Sequence, residues 1–458
     1  MAINSFSQTN VGEGNIKFKK RVLLSNLQDP WDIVYGPDNN LWITEAKGYT
    51  VSRIDIASGK KKIVLDLNSE RSFSGKPWPQ GGLMGMALHP QILTGKPFVY
   101  LAYVYRFVEA RPNFAGNYFQ TKIVRYTWEK EKQSLSNPKV ICDTIPGSND
   151  HNGGRLHIAN IEGKEYLFYA VGDMGAGQFD NGNRPNHSQD ANYYEGKVLR
   201  FNTEEDIDNV PLDKWVPNSN PFKNAVWSLG HRNPQGLASA TITGKKMLYS
   251  TEHGPYSDDE INLVEKGANY GHPLVIGYND GNYDGLAASV SDRDSLPGKW
   301  NTTYPLIVRE ADNAARIGNS YRDPIKAFNP NDHGFLEGLF NAVAKNTGKP
   351  EWSSEAPSSL EVYTSDAIPG WKNSLLVPTL KSGRLIRLKL NNSGKGFGGA
   401  EESYFQAGNR LRDVAISPDG KKIYLITDRS SVTSGPTKED PQGSSEKGAV
   451  IEYTYIGQ

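Results

Sequence analysis

The sequence predicts an all-β fold, a six-bladed β-propeller of four-stranded antiparallel blades with long loops on one face. Three observations point there. A hairpin pattern recurs along the chain: a short apolar run, a turn of the Pro-Asp/Asn-Gly type, then a run ending in Tyr or Trp. Further strand-like runs lie between the copies, and no helical period accompanies them. The 46 Gly and 27 Pro among 458 residues are spread along the chain, as many turns require.

The copies can be taken in order. The first, WDIVYGPDNNLWITE (31–45), turns at Pro37-Asp38-Asn39-Asn40. The second is MALHPQILTGKPFVYLAYVY (86–105), the third RLHIANIEGKEYLFYAVGD (155–173) and the fourth GLASATITGKKMLYSTEHG (236–254). A late copy is DVAISPDGKKIYLITD (413–428), and GWKNSLLVPTLKSGRLIRLKL (370–390) is assigned as the sixth. In each, a type I turn or a Gly-containing loop reverses the chain between two strand-like flanks. The runs 51–55, 121–126, 197–201 and 384–388 read as outer strands of blades. One domain is expected over 1–458, with the propeller at about 18–455 after a short N-terminal extension. The stretch 280–350 has few strand signals and reads as an insertion on the binding face. Its aromatics, Trp300, Tyr304, Tyr321, Phe328, Phe335 and Phe340, argue against a disordered linker.

Charge and cysteine content exclude several functions. Lys plus Arg and Asp plus Glu are 51 each, so no basic surplus points to nucleic acid or an anionic membrane. Cys142 is the single cysteine, which rules out an internal disulfide and reads as a free, buried thiol. No run of about 20 apolar residues is present to span a membrane. The start, Met1-Ala2-Ile3-Asn4-Ser5, lacks the charged and apolar regions of a signal peptide. Neither a G-x-G-x-x-G after a strand nor a Walker sequence is found, which disfavours a nucleotide enzyme. There is no G-x-S-x-G elbow either.

Polar clusters fall at the ends of strand runs. In Asn149-Asp150-His151-Asn152-Gly153-Gly154-Arg155, a histidine sits in a Gly-rich loop, and its unperturbed pKa of about 6.5 suits a base. Asp173 closes the following strand run and returns to the same end, placed to hold the imidazole tautomer. A second cluster is Leu229-Gly230-His231-Arg232-Asn233-Pro234-Gln235-Gly236. The third, Gly254-Pro255-Tyr256-Ser257-Asp258-Asp259-Glu260, carries consecutive acids that suit a hard cation, and equally a solvated turn. The fourth, Lys381 with Asn409-Arg410-Leu411-Arg412-Asp413, suits a multiply anionic small molecule, and equally surface pairing with Asp413 and Asp428.

Taken together, these motifs resemble the soluble pyrroloquinoline quinone (PQQ)-dependent glucose dehydrogenases, quinoproteins that oxidise aldose sugars. The resemblance runs from about Phe18 to Tyr455 and is strongest in QGGLMGMALHP, DHNGGRL, LGHRNPQGLA, GPYSDDEINLVEKGANYGHP and NRLRDVAISPDGKKIYLITD. It implies PQQ on the long-loop face, with His151 as catalytic base, Asp173 behind it, and Arg232 beside them. Gln80, Asp150, Arg232, Asn233, Ser354, Lys381, Arg410, Arg412 and Asp428 would surround the quinone. Gln80, Asp150, Gln178, Phe179 and Trp352 would line the sugar pocket. It also implies an active-site calcium on the backbone oxygens of Gly254 and Pro255. A structural calcium pair would lie among Asp259, Glu260, Tyr270, Asp280, the backbone of Ile276 and Tyr278, and Glu310. The implied reaction gives a lactone and passes electrons to an external acceptor. A homodimer and a periplasmic or secreted location are expected on the same ground.

Two segments depart from the family pattern. The stretch 346–352 keeps Trp352 but has neither cysteines nor tyrosine, and 174–179 also differs. Both border the expected sugar site. Two competing readings are a calcium-dependent propeller lactonase or esterase, and a non-catalytic ligand-binding propeller. The first leaves Lys381, Arg410 and Arg412 without a purpose. The second predicts a degraded pocket, whereas His151, Asp173, Arg232 and the basic cluster are all retained.

Overall fold

In the computed structural model, the recurring hairpins become six antiparallel sheets. The structure describes residues 9–13, 15–111, 115–206, 213–348, 350–406, 408–430 and 445–457, so the N-terminal pentapeptide read above lies outside it. Blade one is Pro30–Tyr35, Asn40–Glu45, Thr50–Asp55 and Lys61–Asp66. Blade two is Leu83–Leu88 with three long strands, Phe98–Arg111, Gly116–Glu129 and Ser134–Gly147. Blade three is Leu156–Ile161, Lys164–Val171, Lys197–Asn202 and Val226–Leu229. Blade four is Pro234–Ile242, Lys245–Glu252, Asp259–Leu263 and Lys326–Phe328. Blade five is Glu361–Tyr363, Ser374–Pro378, Leu385–Lys389 and Glu402–Tyr404. Blade six takes Leu411–Ile416, Lys422–Thr427 and Val450–Gly457 from the C-terminal end. Its fourth strand is Ile16–Leu24 from the N-terminal end, edged by Thr9–Glu13.

The first strand of every blade packs against the first strands of both neighbours, closing a six-membered ring around a central channel. Ring closure is therefore non-local: Lys20 pairs with Tyr453 and Val22 with Ile451. Phe18 from that N-terminal strand lodges against Trp371 and Phe405, with ring centroids 5.7 and 4.9 Å away. Second strands such as Ser374–Pro378 are buried at every position, because each blade face is covered by a neighbour. This accounts for their nearly continuous apolar sequences.

Turn chemistry follows the sequence. In blade one Asn39 takes φ +57°, and the Asp38 carboxylate accepts from the Asn40 N–H at 3.3 Å and the Trp42 indole N–H at 3.2 Å. In blade six the same reversal uses Gly420 at φ +71°, where a β-carbon would come within 2.3 Å of Ser365 Oγ.

Some expectations need correction. The 370–390 repeat is the second and third strands of blade five; its innermost strand is the three-residue Glu361–Tyr363, too short to show a pattern. The runs at 51–55, 121–126, 197–201 and 384–388 are third strands, and the outermost are the segments that follow them. The insertion is ordered and contains helices, Glu310–Ile317 and His333–Ala344. Trp300, Tyr304 and Phe340 build a small core of their own with Tyr283, while Phe328 lies in blade four. Cys142 is half-buried rather than fully buried, and burial pushes its thiol up to about 12.

Candidate active site

Antiparallel pairing brings the start of each first strand beside the end of the second: Pro30 faces Glu45, Pro234 faces Glu252 and Leu411 faces Thr427. Residues just before a first strand and just after a second strand therefore share one rim of the channel. His151, Arg232, Asn233, Arg410 and Gln80 belong to the former group, and Asp173, Gly254, Pro255, Lys381 and Asp428 to the latter. Residues far apart in sequence are thereby gathered on one face.

His151 is buried, and its φ of +51° turns the chain sharply. The opposing residue is Gly172, where a β-carbon would stand 2.0 Å from the His151 carbonyl oxygen, so only glycine fits. His151 Nδ1 lies 2.7 Å from Asp173 Oδ1, and its Nε2 lies 3.0 Å from the Gln178 side-chain nitrogen. The consistent assignment is Nδ1–H donating to the carboxylate, which leaves Nε2 as an acceptor. Burial pushes Asp173 up, but His151 and His272 outweigh it and hold the carboxyl far below its usual range.

Gln178 is the hub of the polar network. Its amide nitrogen also donates to Asp150 Oδ2 at 2.8 Å, and its oxygen accepts from Arg232 Nη2 at 2.9 Å. Arg232 further donates Nη1 to the His253 carbonyl at 3.0 Å, while its buried Nε has no partner. Gln80 accepts from the Asn152 N–H at 2.8 Å, and Asn233 accepts from the Gly153 N–H at 3.3 Å, so both brace the His151 loop. Phe179 is 56% exposed beside Gln178, with φ +44°.

The basic residues lie at the same rim. Arg412 donates Nε and Nη2 to the two oxygens of Asp428 at 2.8 and 2.9 Å, a bidentate pair. Arg410 Nε lies 3.3 Å from Asp428 Oδ2. Lys381 donates to the Trp352 carbonyl at 2.8 Å and stands 4.9 Å over the Trp352 ring. Asp428 therefore pairs with both arginines. Together with the unpaired Arg232 Nε, this donor set fits a small polycarboxylate such as PQQ.

The residues expected to bind calcium are near one another but do not converge. Among the described residues, no group of three or more His, Cys, Asp or Glu is arranged to hold a metal ion. Asp259 gives one oxygen to the Gly254 N–H and the other to the N–H groups of Glu355 and Ala356 and the Ser354 hydroxyl. It is thus a brace for the loop, and Ser354 is held by it. The Tyr270 hydroxyl donates to the Leu263 carbonyl, and Asp280 is exposed. Glu260 accepts from the Gly277 N–H, and Glu310 from the N–H groups of Ile276 and Gly281. Tyr278 is half-buried beside them, and the Pro255 carbonyl accepts from the Tyr283 hydroxyl. Burial nevertheless pushes Glu310 up to about 8, Asp258 up to about 6 and Glu260 well up. Asp258 Oδ1 and Asn282 Oδ1 are buried without partners. The donor chemistry of the region is that of a hard cation.

A family model described as Glucose / Sorbosone dehydrogenase matches residues 27–304 and 345–433. The chain belongs to this family. Quinoprotein glucose dehydrogenase B of Acinetobacter calcoaceticus is 34% identical over 470 residues, covering 96% of this chain and 91% of that protein. The aldose sugar dehydrogenase YliI of Escherichia coli is 26% identical, covering 90% of each chain. In fold, the chain resembles the PQQ-bound aldose sugar dehydrogenase of Streptomyces coelicolor, with a TM-score of 0.60, 22% identity and coverage of 95% of this chain and 97% of the other. It is similarly close to the soluble aldose sugar dehydrogenase of E. coli in its apo-form, with a TM-score of 0.62, 23% identity and coverage of 96% and 100%. As a Glucose / Sorbosone dehydrogenase family member the chain is a sugar dehydrogenase-type oxidoreductase. No helix among the described residues is long and apolar enough to cross a membrane.

Within this glucose/sorbosone dehydrogenase site, several residues escaped sequence reasoning. His272 Nε2 lies 2.8 Å from Asp173 Oδ2, and the Tyr304 hydroxyl donates to the same oxygen at 2.9 Å. Glu252 accepts from the Arg232 N–H and from His231 Nδ1, fixing the LGHRNPQG loop. His272 sits in the GANYGHP motif, but nothing in that motif points to Asp173.

Proposed function

We propose that this chain oxidises an aldose at its anomeric carbon to the lactone, with PQQ as cofactor and His151 as general base. Membership of the glucose/sorbosone dehydrogenase family supports PQQ-dependent sugar oxidation in general. The observation that carries the finer reading is the His151–Asp173 pair at 2.7 Å on the same rim as Lys381, Arg410 and Arg412. This arrangement supports a base and an anion-binding cluster acting at one site.

Lys381, Arg232, Arg410 and Arg412 would hold the carboxylates of PQQ, with Asn233 and Gln80 near the His151 loop. When bound, PQQ supplies the two-electron acceptor for the hydride of the sugar. Calcium on the Gly254 and Pro255 carbonyls would act as a Lewis acid, and Glu260, Glu310 and Asp280 would serve a structural ion. The chain's own residues do the rest. His151 Nε2 takes the proton of the anomeric hydroxyl, a contribution of about 10²–10⁴ in rate. Asp173 keeps Nδ1 protonated and favours the imidazolium that results. The sugar hydroxyl replaces the Gln178 amide at Nε2, and Gln178, Asp150, Phe179 and Trp352 border the sugar.

The test is dye reduction by the purified chain with a panel of aldoses, with and without added PQQ and calcium. Turnover that requires both supports the reading. Failure to bind PQQ would overturn it.

A further inference from the structure

We propose that the insertion in blade four positions the base of blade three: His272 and Tyr304 are positioning residues that fix Asp173 behind His151. The inference rests on His151 being the general base.

Asp173 is 1% exposed, and a buried carboxylate needs donors on both oxygens. The loops of blade three supply His151 Nδ1 at 2.7 Å and the Gly175 N–H at 2.9 Å to Oδ1, and Asn186 Nδ2 at 3.2 Å to Oδ2. The two shorter bonds to Oδ2 come from elsewhere: His272 at 2.8 Å and the Tyr304 hydroxyl at 2.9 Å. Both residues are buried and lie in the segment between the third and fourth strands of blade four, which a propeller blade does not need.

The same segment grips the loop that carries Gln178. Thr302 Oγ1 donates to the Gly177 carbonyl at 2.7 Å, and Thr303 Oγ1 to the Gly182 carbonyl at 3.0 Å. The Tyr304 ring lies so close to Gly177 that a β-carbon there would be 2.6 Å from it, and Gly177 is at φ +93°. His272 Nε2 must carry the hydrogen to serve Asp173, and its buried Nδ1 has no partner. The position therefore spends one ring nitrogen on Asp173 and nothing on the other. With Oδ2 pinned, the carboxylate cannot rotate, and Oδ1 stays aligned with His151.

The experiment compares His272→Leu, His272→Gln and Tyr304→Phe in the full chain. On the PQQ- and calcium-loaded enzyme, His272→Leu is expected to lower kcat by about ten- to a hundredfold with KM little changed, as a misplaced base would. His272→Gln keeps an N–H within reach of Asp173 and should recover most of the loss. On the apoprotein, with ¹⁵N-labelled histidine, the downfield Nδ1–H resonance of His151 should move in His272→Leu and stay in His272→Gln. If His272→Leu does not fold, Tyr304→Phe, which deletes only a hydroxyl, carries the test on both readouts. Unchanged kcat and an unmoved resonance in folded variants would overturn the proposal. Full activity in His151→Ala would instead overturn the assignment of the base.

Discussion

Arg155 Nη1 lies 2.7 Å from Asp413 Oδ2 and 2.8 Å from Asp32 Oδ2, so one guanidinium ties blades three, six and one across the central channel. All three side chains are buried, and Arg155 also donates to the Gln235 carbonyl of blade four at 2.9 Å. Removing one member leaves buried charges uncompensated. Arg155→Ala should destabilise the fold by about 3–5 kcal/mol, and Arg155→Met with Asp413→Asn by less. Denaturant midpoints of the single and double variants measure this.

His151→Ala should retain the fold and lose about 10²–10⁴ in kcat. Asp173→Asn keeps the shape but lets Nδ1 of His151 act as an acceptor, and should lose a comparable factor. Steady-state kinetics with far-UV circular dichroism on each variant distinguishes lost chemistry from lost structure.

Lys381→Met should weaken PQQ binding by about 1.5–3 kcal/mol, the usual scale for a charged hydrogen bond. Fluorescence titration of the apoprotein with PQQ reads the shift. Equal affinity for the variant would remove Lys381 from the cofactor site.

Trp371 is fully buried and packs against Phe18, Tyr363 and Tyr404 between blades five and six. Trp371→Ala should cost about 3–5 kcal/mol through the cavity it leaves. Phe18→Ala should also loosen the closing strand, seen as early amide exchange along Ile16–Leu24 and Val450–Gly457.

Burial pushes His157 down to about 4, and its Nε2 lies 2.8 Å from Ser239 Oγ. An unfolded histidine titrates near about 6.5, so below that pH the unfolded chain binds a proton that the folded chain refuses. Stability is complete above about 6.5 and falls as the pH drops toward about 4. His157→Gln should flatten this acid slope, which denaturant midpoints at neutral and mildly acidic pH will report.

Much of the architecture was legible because its signals are local. A hairpin needs only a turn and two strand-like flanks, and WDIVYGPDNNLWITE contains all three. The innermost strand of blade five, Glu361–Tyr363, is too short for periodicity to register. His151 and Asp173 could be paired from sequence because one hairpin separates them. His272 and Tyr304 could not, since they reach Asp173 from 99 and 131 residues away through an insertion without a repeat. Acidic runs are harder to read. An acidic run such as Ser257-Asp258-Asp259-Glu260 states which donors exist but not which backbone N–H groups will claim them first, as those of Gly254, Glu355 and Ala356 claim Asp259.

The strand repeats, the turn types and the Gly-rich histidine loop are short-range properties of the sequence, since each follows from residues a few positions apart. Tertiary structure alone decided the ring closure by Ile16–Leu24, the Arg155 tie across the channel and the second histidine on Asp173. Those depend on which blades face one another, and contact across a closed ring leaves no period in the chain that makes it.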